Sequence, residues 1–149
     1  MVVAETDVAT AYAVVSDVAG YGRFSPENRS AKWLGAASGP APGARFRSWN
    51  RRGIVRWFTY CVVEAADGRE FSFRVVFPPP MPKTRWTFRV APIDAGHTRI
   101  EESWELSAPL GRARRAMMRL VLGVSDRPSN LTDGAAQTLT GMTALLEQR

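Results

Sequence analysis

The spacing of apolar residues divides the chain into three stretches. Residues 1 to 8 carry the alternation of a short strand, VVAETDV. From about Ala9, residues Ala11, Val14, Val15 and Val18 fall at i, i+3, i+4 and i+7, one face of a short helix. Gly20 and Gly22 break that helix, and Pro26 ends any continuation of it. The middle of the chain then alternates with period two. RSAKWLGA, ARFRSWNR, IVRWFTYCVVEA, EFSFRVVF, TRWTFRVAPI and TRIEESWEL read as strands, which with the first makes about seven. SGPAPG, Gly53, Asp67-Gly68 and DAGH supply turns between them, and Asp-Gly is a strong hairpin signal. PPPMP, residues 78 to 82, cannot pair in a sheet and reads as a rigid loop. After Pro109 the period becomes helical. Leu110, Ala113, Met117, Leu120 and Val121 form one stripe up to Gly123. Leu131, Ala135, Leu139, Met142, Leu145 and Leu146 form a second, opened by Pro128 as a first helical residue. This order predicts an α+β domain over residues 1–149, with consecutive antiparallel strands and a long C-terminal helix.

Alternation also assigns the faces. The inward set is Phe46, Ser48 and Asn50 in the third strand; Trp57, Thr59, Cys61 and Val63 in the fourth; and Phe71, Phe73, Val75 and Phe77 in the fifth. The sixth strand adds Trp86, Phe88 and Val90, and the seventh Thr98, Ile100, Glu102, Trp104 and Leu106. Large aromatics with a few oriented polar groups suit either a small-molecule pocket or a filled sheet-on-helix core. Pattern alone leaves both open.

Composition narrows the chemistry. The chain has 149 residues and 45% apolar content, as one globular domain requires. A single cysteine, Cys61, excludes an intrachain disulfide and a cysteine-cluster metal site. The single histidine, His97, sits in a turn, which argues against histidine-based acid–base or metal chemistry. No metal site and no cofactor are expected: the sequence has neither a phosphate-cradling glycine loop nor ligand spacing. The first 25 residues carry Glu5, Asp7 and Asp17 without a continuous apolar block, so no secretory signal is expected, and the expectation is a cytoplasmic protein.

The net charge is +6, and all but Lys32 and Lys83 of the 20 cations are arginines. Most of them alternate along strands, as on solvated faces, rather than cluster. The exception is GRARRAMMRL, where Arg112, Arg115 and Arg119 share a helical face. A basic amphipathic helix can touch an anionic surface, although a lid helix with a solvated side gives the same pattern. DNA is not an expected partner.

Two carboxylates stand out. Glu102 lies on an apolar face, where it must be paired, hydrogen-bonded or protonated. A paired acid, held by an arginine or an indole N–H, is the expectation. Glu27 follows Ser25-Pro26 at the exit from the short helices, where it can face the interior or pair with an arginine, and a mainly structural role is expected.

Taken in order, AVVSDVAGYGRFSPE, GARFRSWNRRG, WFTYCVVEAADGREFSFRV, TRWTFRVAP, GHTRIEESWEL and GMTALLEQR resemble the START-like, helix-grip superfamily. More specifically, they resemble its small bacterial polyketide cyclase/dehydrase and lipid-transport branch. The likeness runs over nearly the whole chain and includes no catalytic signature. It implies a curved antiparallel sheet wrapped around the C-terminal helix, with two short helices after the first strand. It also implies a deep cavity between sheet and helix, holding an apolar or polycyclic ligand. By that likeness the lining is Asn50, Trp57, Thr59, Cys61, Phe73, Trp86, Phe88, Glu102, Trp104 and Met142. Three readings follow: a carrier or sensor of a lipid or polyketide-like molecule; a polyketide cyclase or aromatase with Glu102 and Glu27 as candidate proton-transfer groups; and a toxin-like, ribosome-, RNA- or membrane-surface-binding protein using helix 110–122. A monomer or a homodimer is compatible with each.

Overall fold

The computed structural model describes residues 1–76, 83–107, 111–113, 116, 120 and 127–148. PPPMP lies outside the described residues, as do Phe77, Arg115, Arg119 and most of the segment between Ala108 and Asp126. Arg112 is described and is exposed; Leu120, assigned to an apolar stripe, is 87% exposed.

Seven strands form one antiparallel sheet: β1 (Val2–Glu5), β2 (Asn28–Leu34), β3 (Arg45–Arg52), β4 (Val55–Ala66), β5 (Glu70–Val76), β6 (Thr84–Pro92) and β7 (His97–Leu106). Their order is β1-β7-β6-β5-β4-β3-β2, so each strand from β2 to β7 lies beside its sequence neighbour, and β1 returns to close the far edge against β7. The helices are α1 (Val8–Ser16), a 3-10 helix (Val18–Arg23) and α2 (Arg127–Leu146). This is the expected α+β helix-grip architecture, with an open, curved sheet.

Local sequence accounts for the joints. Asp7 caps α1 by accepting the Thr10 N–H at 2.9 Å. In the β4–β5 hairpin the Asp67 carboxylate accepts the N–H groups of Arg69 and Glu70, and Gly68 takes φ +88°, a left-handed conformation that favours glycine. Register shifts at Asn28/Ser30 and Val63/Ala65 mark irregularities that bend their strands.

The inward faces agree with the alternation. Phe46, Phe71, Phe88 and Ile100 are almost wholly buried, together with Val15 and Val18 of the short helices. Each such aromatic contributes roughly 1.5–3 kcal/mol through burial. α2 turns Leu139, Met142 and Leu146 into this core and packs against β1, β7 and α1. Gly141 allows its closest approach: a Cβ there would stand 2.8 Å from Phe24 Cβ and 2.9 Å from Phe24 O.

Candidate functional site

Between the concave face of the sheet and the first half of α2 lies a cleft of about 140 Å³, open on one side. β3 to β6 furnish most of its wall: Ser48, Asn50, Trp57, Thr59 and Cys61, then Phe73, Val75, Thr84, Trp86 and Phe88. β7 adds Glu102, and α2 adds Leu131, Gly134 and Thr138 from one face. The Ser25-Pro26-Glu27-Asn28 segment and Tyr21 complete it.

Eight residues of the expected lining therefore stand on the wall: Asn50, Trp57, Thr59, Cys61, Phe73, Trp86, Phe88 and Glu102. Two do not. Met142 is fully buried in the core about one turn beyond Thr138, the last cleft-facing residue of α2, and Trp104 sits opposite Trp86 in the register but outside the lining. Neither the alternation nor the resemblance marks Tyr21, Asn28, Thr84 or the α2 contributors as lining. Asn28 lies on the wall because the irregularity at Asn28/Ser30 breaks strict alternation, which from Ala31 and Trp33 points Arg29 inward instead.

The polar groups differ in how well they are satisfied. Tyr21 donates its hydroxyl to Val15 O at 2.6 Å, and burial raises its pKa well above the usual phenol value, so it is a fixed post. Asn50 Nδ2 donates to Thr59 Oγ1 at 3.4 Å, and Thr59 Oγ1 lies 3.9 Å from Cys61 Sγ. Burial pushes the Cys61 thiol up to about 12, so it remains a neutral thiol. Asn28 Nδ2 donates to Ser48 Oγ at 3.1 Å, while Asn28 Oδ1 is shut from solvent and unpartnered.

Glu102 departs from expectation. Its Oε2 is closed to solvent and has no hydrogen-bond partner, and no described arginine pairs with it. Phe88 stands directly across from it on β6. Desolvation raises its pKa to about 8, so near neutral pH it is mostly a carboxylic acid, a hydrogen-bond donor in an aromatic wall. Glu27 lines the cleft mouth and pairs with Arg52, Oε1 to Nη1 3.2 Å. Ser25 Oγ accepts the Asn28 N–H at 3.3 Å, and Glu27 O accepts the Arg51 N–H at 2.8 Å, which ties the segment to the sheet. No group of histidine, cysteine and carboxylate side chains suited to a metal ion occurs among the described residues. No helix among them is long and apolar enough to cross a membrane.

A sheet that grips a C-terminal helix over a polar-spotted aromatic cleft is matched at the level of sequence. The model of the family described as polyketide cyclase / dehydrase and lipid transport matches residues 2–128. The chain belongs to that family. Solved structures share its fold at low identity. A START superfamily protein from Mycobacterium smegmatis has a TM-score of 0.66 at 16% identity, over 97% of this chain and 94% of that one. The Zhui aromatase/cyclase from a Streptomyces species has 0.68 at 16%, over 99% and 91%. The di-domain ARO/CYC BexL from the BE-7585A biosynthetic pathway has 0.69 at 16%, over 98% of this chain, which spans 44% of BexL. No curated protein matches by sequence.

Proposed function

We propose that the protein binds a ring-bearing apolar small molecule through a ketone or hydroxyl oxygen held in this cleft. The observation that carries the reading is the Glu102 carboxyl, buried beside Phe88 with Oε2 unpartnered. A second unpartnered buried atom, Asn28 Oδ1, lines the same cleft from the opposite part of the sheet. Buried polar atoms without partners are costly, and two in one aromatic cleft are what a ligand with its own donor and acceptor would satisfy. Size limits the ligand. Drug-sized pockets run to roughly 300–1,000 Å³, whereas an apolar cavity of about 150 Å³ takes up benzene. The cleft therefore buries about one ring, and a longer lipid or polyketide-like ligand extends through its open side.

A second reading is supported by the same carboxyl. A neutral acid beside a ketone can donate a proton as charge develops on oxygen, which is what cyclisation of a polyketone needs. The family description and the likeness to aromatase/cyclases support it equally. In that role Glu102 acts as general acid, and Glu27, tied to Arg52, shapes the mouth.

The test is titration of the purified protein with acetonaphthone, an aromatic ketone, followed by tryptophan emission from Trp57 and Trp86. Saturable binding is expected, weakening above pH 8. A Cβ on Gly134 would meet nothing within 4 Å, so Gly134→Leu fills the cleft without disturbing the helix and abolishes binding. Binding that survives Gly134→Leu would place the ligand elsewhere. A change in the product mixture of a polyketide synthase that Glu102→Gln removes would separate the enzyme from the carrier.

A further inference from the structure

The outward face of the sheet falls into two electrostatic halves. On β5, β6 and β7 the outward arginines meet acids. Arg74 and Arg85 pair with Glu64, Arg89 with Glu70 at 2.9 Å, and Arg99 with Glu101 at 3.1 Å. On β2, β3 and β4 the outward cations are Lys32, Arg45, Arg47, Arg51 and Arg56, and none of them forms an ion pair among the described residues. The one outward acid of β4, Glu64, is already held by Arg74 and Arg85.

Three aromatic rings sit among these cations. Trp49, Phe58 and Tyr60 are each 44% exposed. Trp49 and Phe58 are cross-strand partners with ring centroids 5.5 Å apart, and Phe58 and Tyr60 are also 5.5 Å apart. The Arg47 guanidinium lies 5.4 Å from the centre of the Trp49 ring, and its Nε is buried without a hydrogen-bond partner. The other two such atoms of the described residues face the cleft on the opposite side of the sheet.

We propose that this outward face of β2, β3 and β4 binds single-stranded nucleic acid, with unpaired bases stacked on Trp49, Phe58 and Tyr60 and phosphates running over the surrounding cations. Aromatic rings on a sheet, interleaved with arginine, are a stacking platform that tolerates any base because every base has a π-face. A second copy of this chain fits poorly, since a two-fold contact would set the cations of one face against those of the other. A lipid surface fits less well too. The rings are under half exposed and lie among unpaired cations, so sinking them below the lipid phosphates would carry those charges toward the hydrocarbon. A broad sheet face presents no helix or ribbon to a duplex groove, so duplex DNA is not its partner.

The experiment is fluorescence anisotropy with the full chain and labelled oligouridine and oligothymidine of about 12 nucleotides, a length within the usual site sizes. A duplex of equal length and vesicles of phosphatidylserine in phosphatidylcholine are the competitors. Both single strands are expected to bind, the duplex more weakly. Raising salt from about 50 to 200 mM should lower affinity by about tenfold or more. Phe58→Ala should cost about tenfold, consistent with the loss of one stacked base. Phe58→Leu keeps the apolar bulk of the site and should lose a comparable part of the affinity. The double change Arg45→Ser, Arg56→Ser should weaken binding and flatten its salt dependence, while Arg99→Ala, in the acid-paired half, should leave both unchanged. Binding by the wild type that Phe58→Leu does not weaken, equal or tighter binding of the duplex, displacement by vesicles at lower charge concentration, or no binding at low salt would each overturn the proposal. Acetonaphthone uptake, on the other face, should be unaffected by these changes, so the two readings fail separately.

Discussion

Phe88 and Glu102 face each other across β6 and β7, so an apolar ring rather than a cation stands opposite the most buried carboxylate of the cleft. The consequence is a pH dependence of stability. An unfolded chain ionises this group near the ordinary glutamate value, whereas the folded protein holds it protonated up to about 8. Between those values the unfolded state binds fewer protons, so stability falls as pH rises through that window and levels off above it. The total is on the order of a few kcal/mol. Glu102→Gln removes the titration. The variant should gain on the wild type steadily from about pH 5 to 8 in thermal melts, and parallel curves would show that the carboxyl is not desolvated.

Gly141 and Phe24 are in backbone contact, which makes glycine a packing requirement in α2. Alanine is the better helix former by about 1 kcal/mol. Even so, Gly141→Ala should destabilise the protein by roughly 1–3 kcal/mol, because its methyl would overlap the Phe24 backbone. Urea unfolding measures the balance, and a gain in stability would mean that α2 can move off Phe24.

The Cys61 thiol, buried and raised to about 12, should be inert. At pH 8 iodoacetamide is expected to label it only as fast as the protein unfolds. Labelling should therefore accelerate in urea along the unfolding curve. Labelling of the native protein at the rate of a free thiol would require an open route through the cleft to β4.

The sheet, the inward faces of β3 to β7 and the register of aromatic residues are legible in the sequence because strands write burial as a period of two. The cleft is less legible, for two reasons that particular residues expose. Asn28 points inward only because its strand is irregular at Asn28/Ser30, and such an irregularity leaves no periodic trace. On α2 the apolar stripe marks which side meets protein but not where the protein opens. Leu139, Met142 and Leu146 continue that side into the core, while Gly134 and Thr138, smaller or polar, mark the part beside the cleft. A small residue next to an apolar stripe was the available signal. Pattern also shows that Glu102 is inward but not that no arginine reaches it, since pairing depends on side chains from distant strands.

Asn28 gives the means to separate structure from binding. Its amide donates to Ser48 Oγ, while Oδ1 is buried and unpartnered. Asn28→Ala leaves the buried Ser48 Oγ without its donor, which costs about 1–3 kcal/mol, and removes an unsatisfied carbonyl whose desolvation costs about as much. The two nearly cancel, so thermal stability should change by less than about 1 kcal/mol. A residue kept only for the fold would show no further effect. If Asn28 Oδ1 instead awaits a ligand hydroxyl, naphthol should bind the variant about tenfold more weakly, the loss of roughly one buried hydrogen bond. Naphthalene, which has no hydroxyl, should bind both proteins alike. Equal losses for the two probes would mean that the substitution reshapes the cleft, and Asn28 would then be part of the wall rather than a contact.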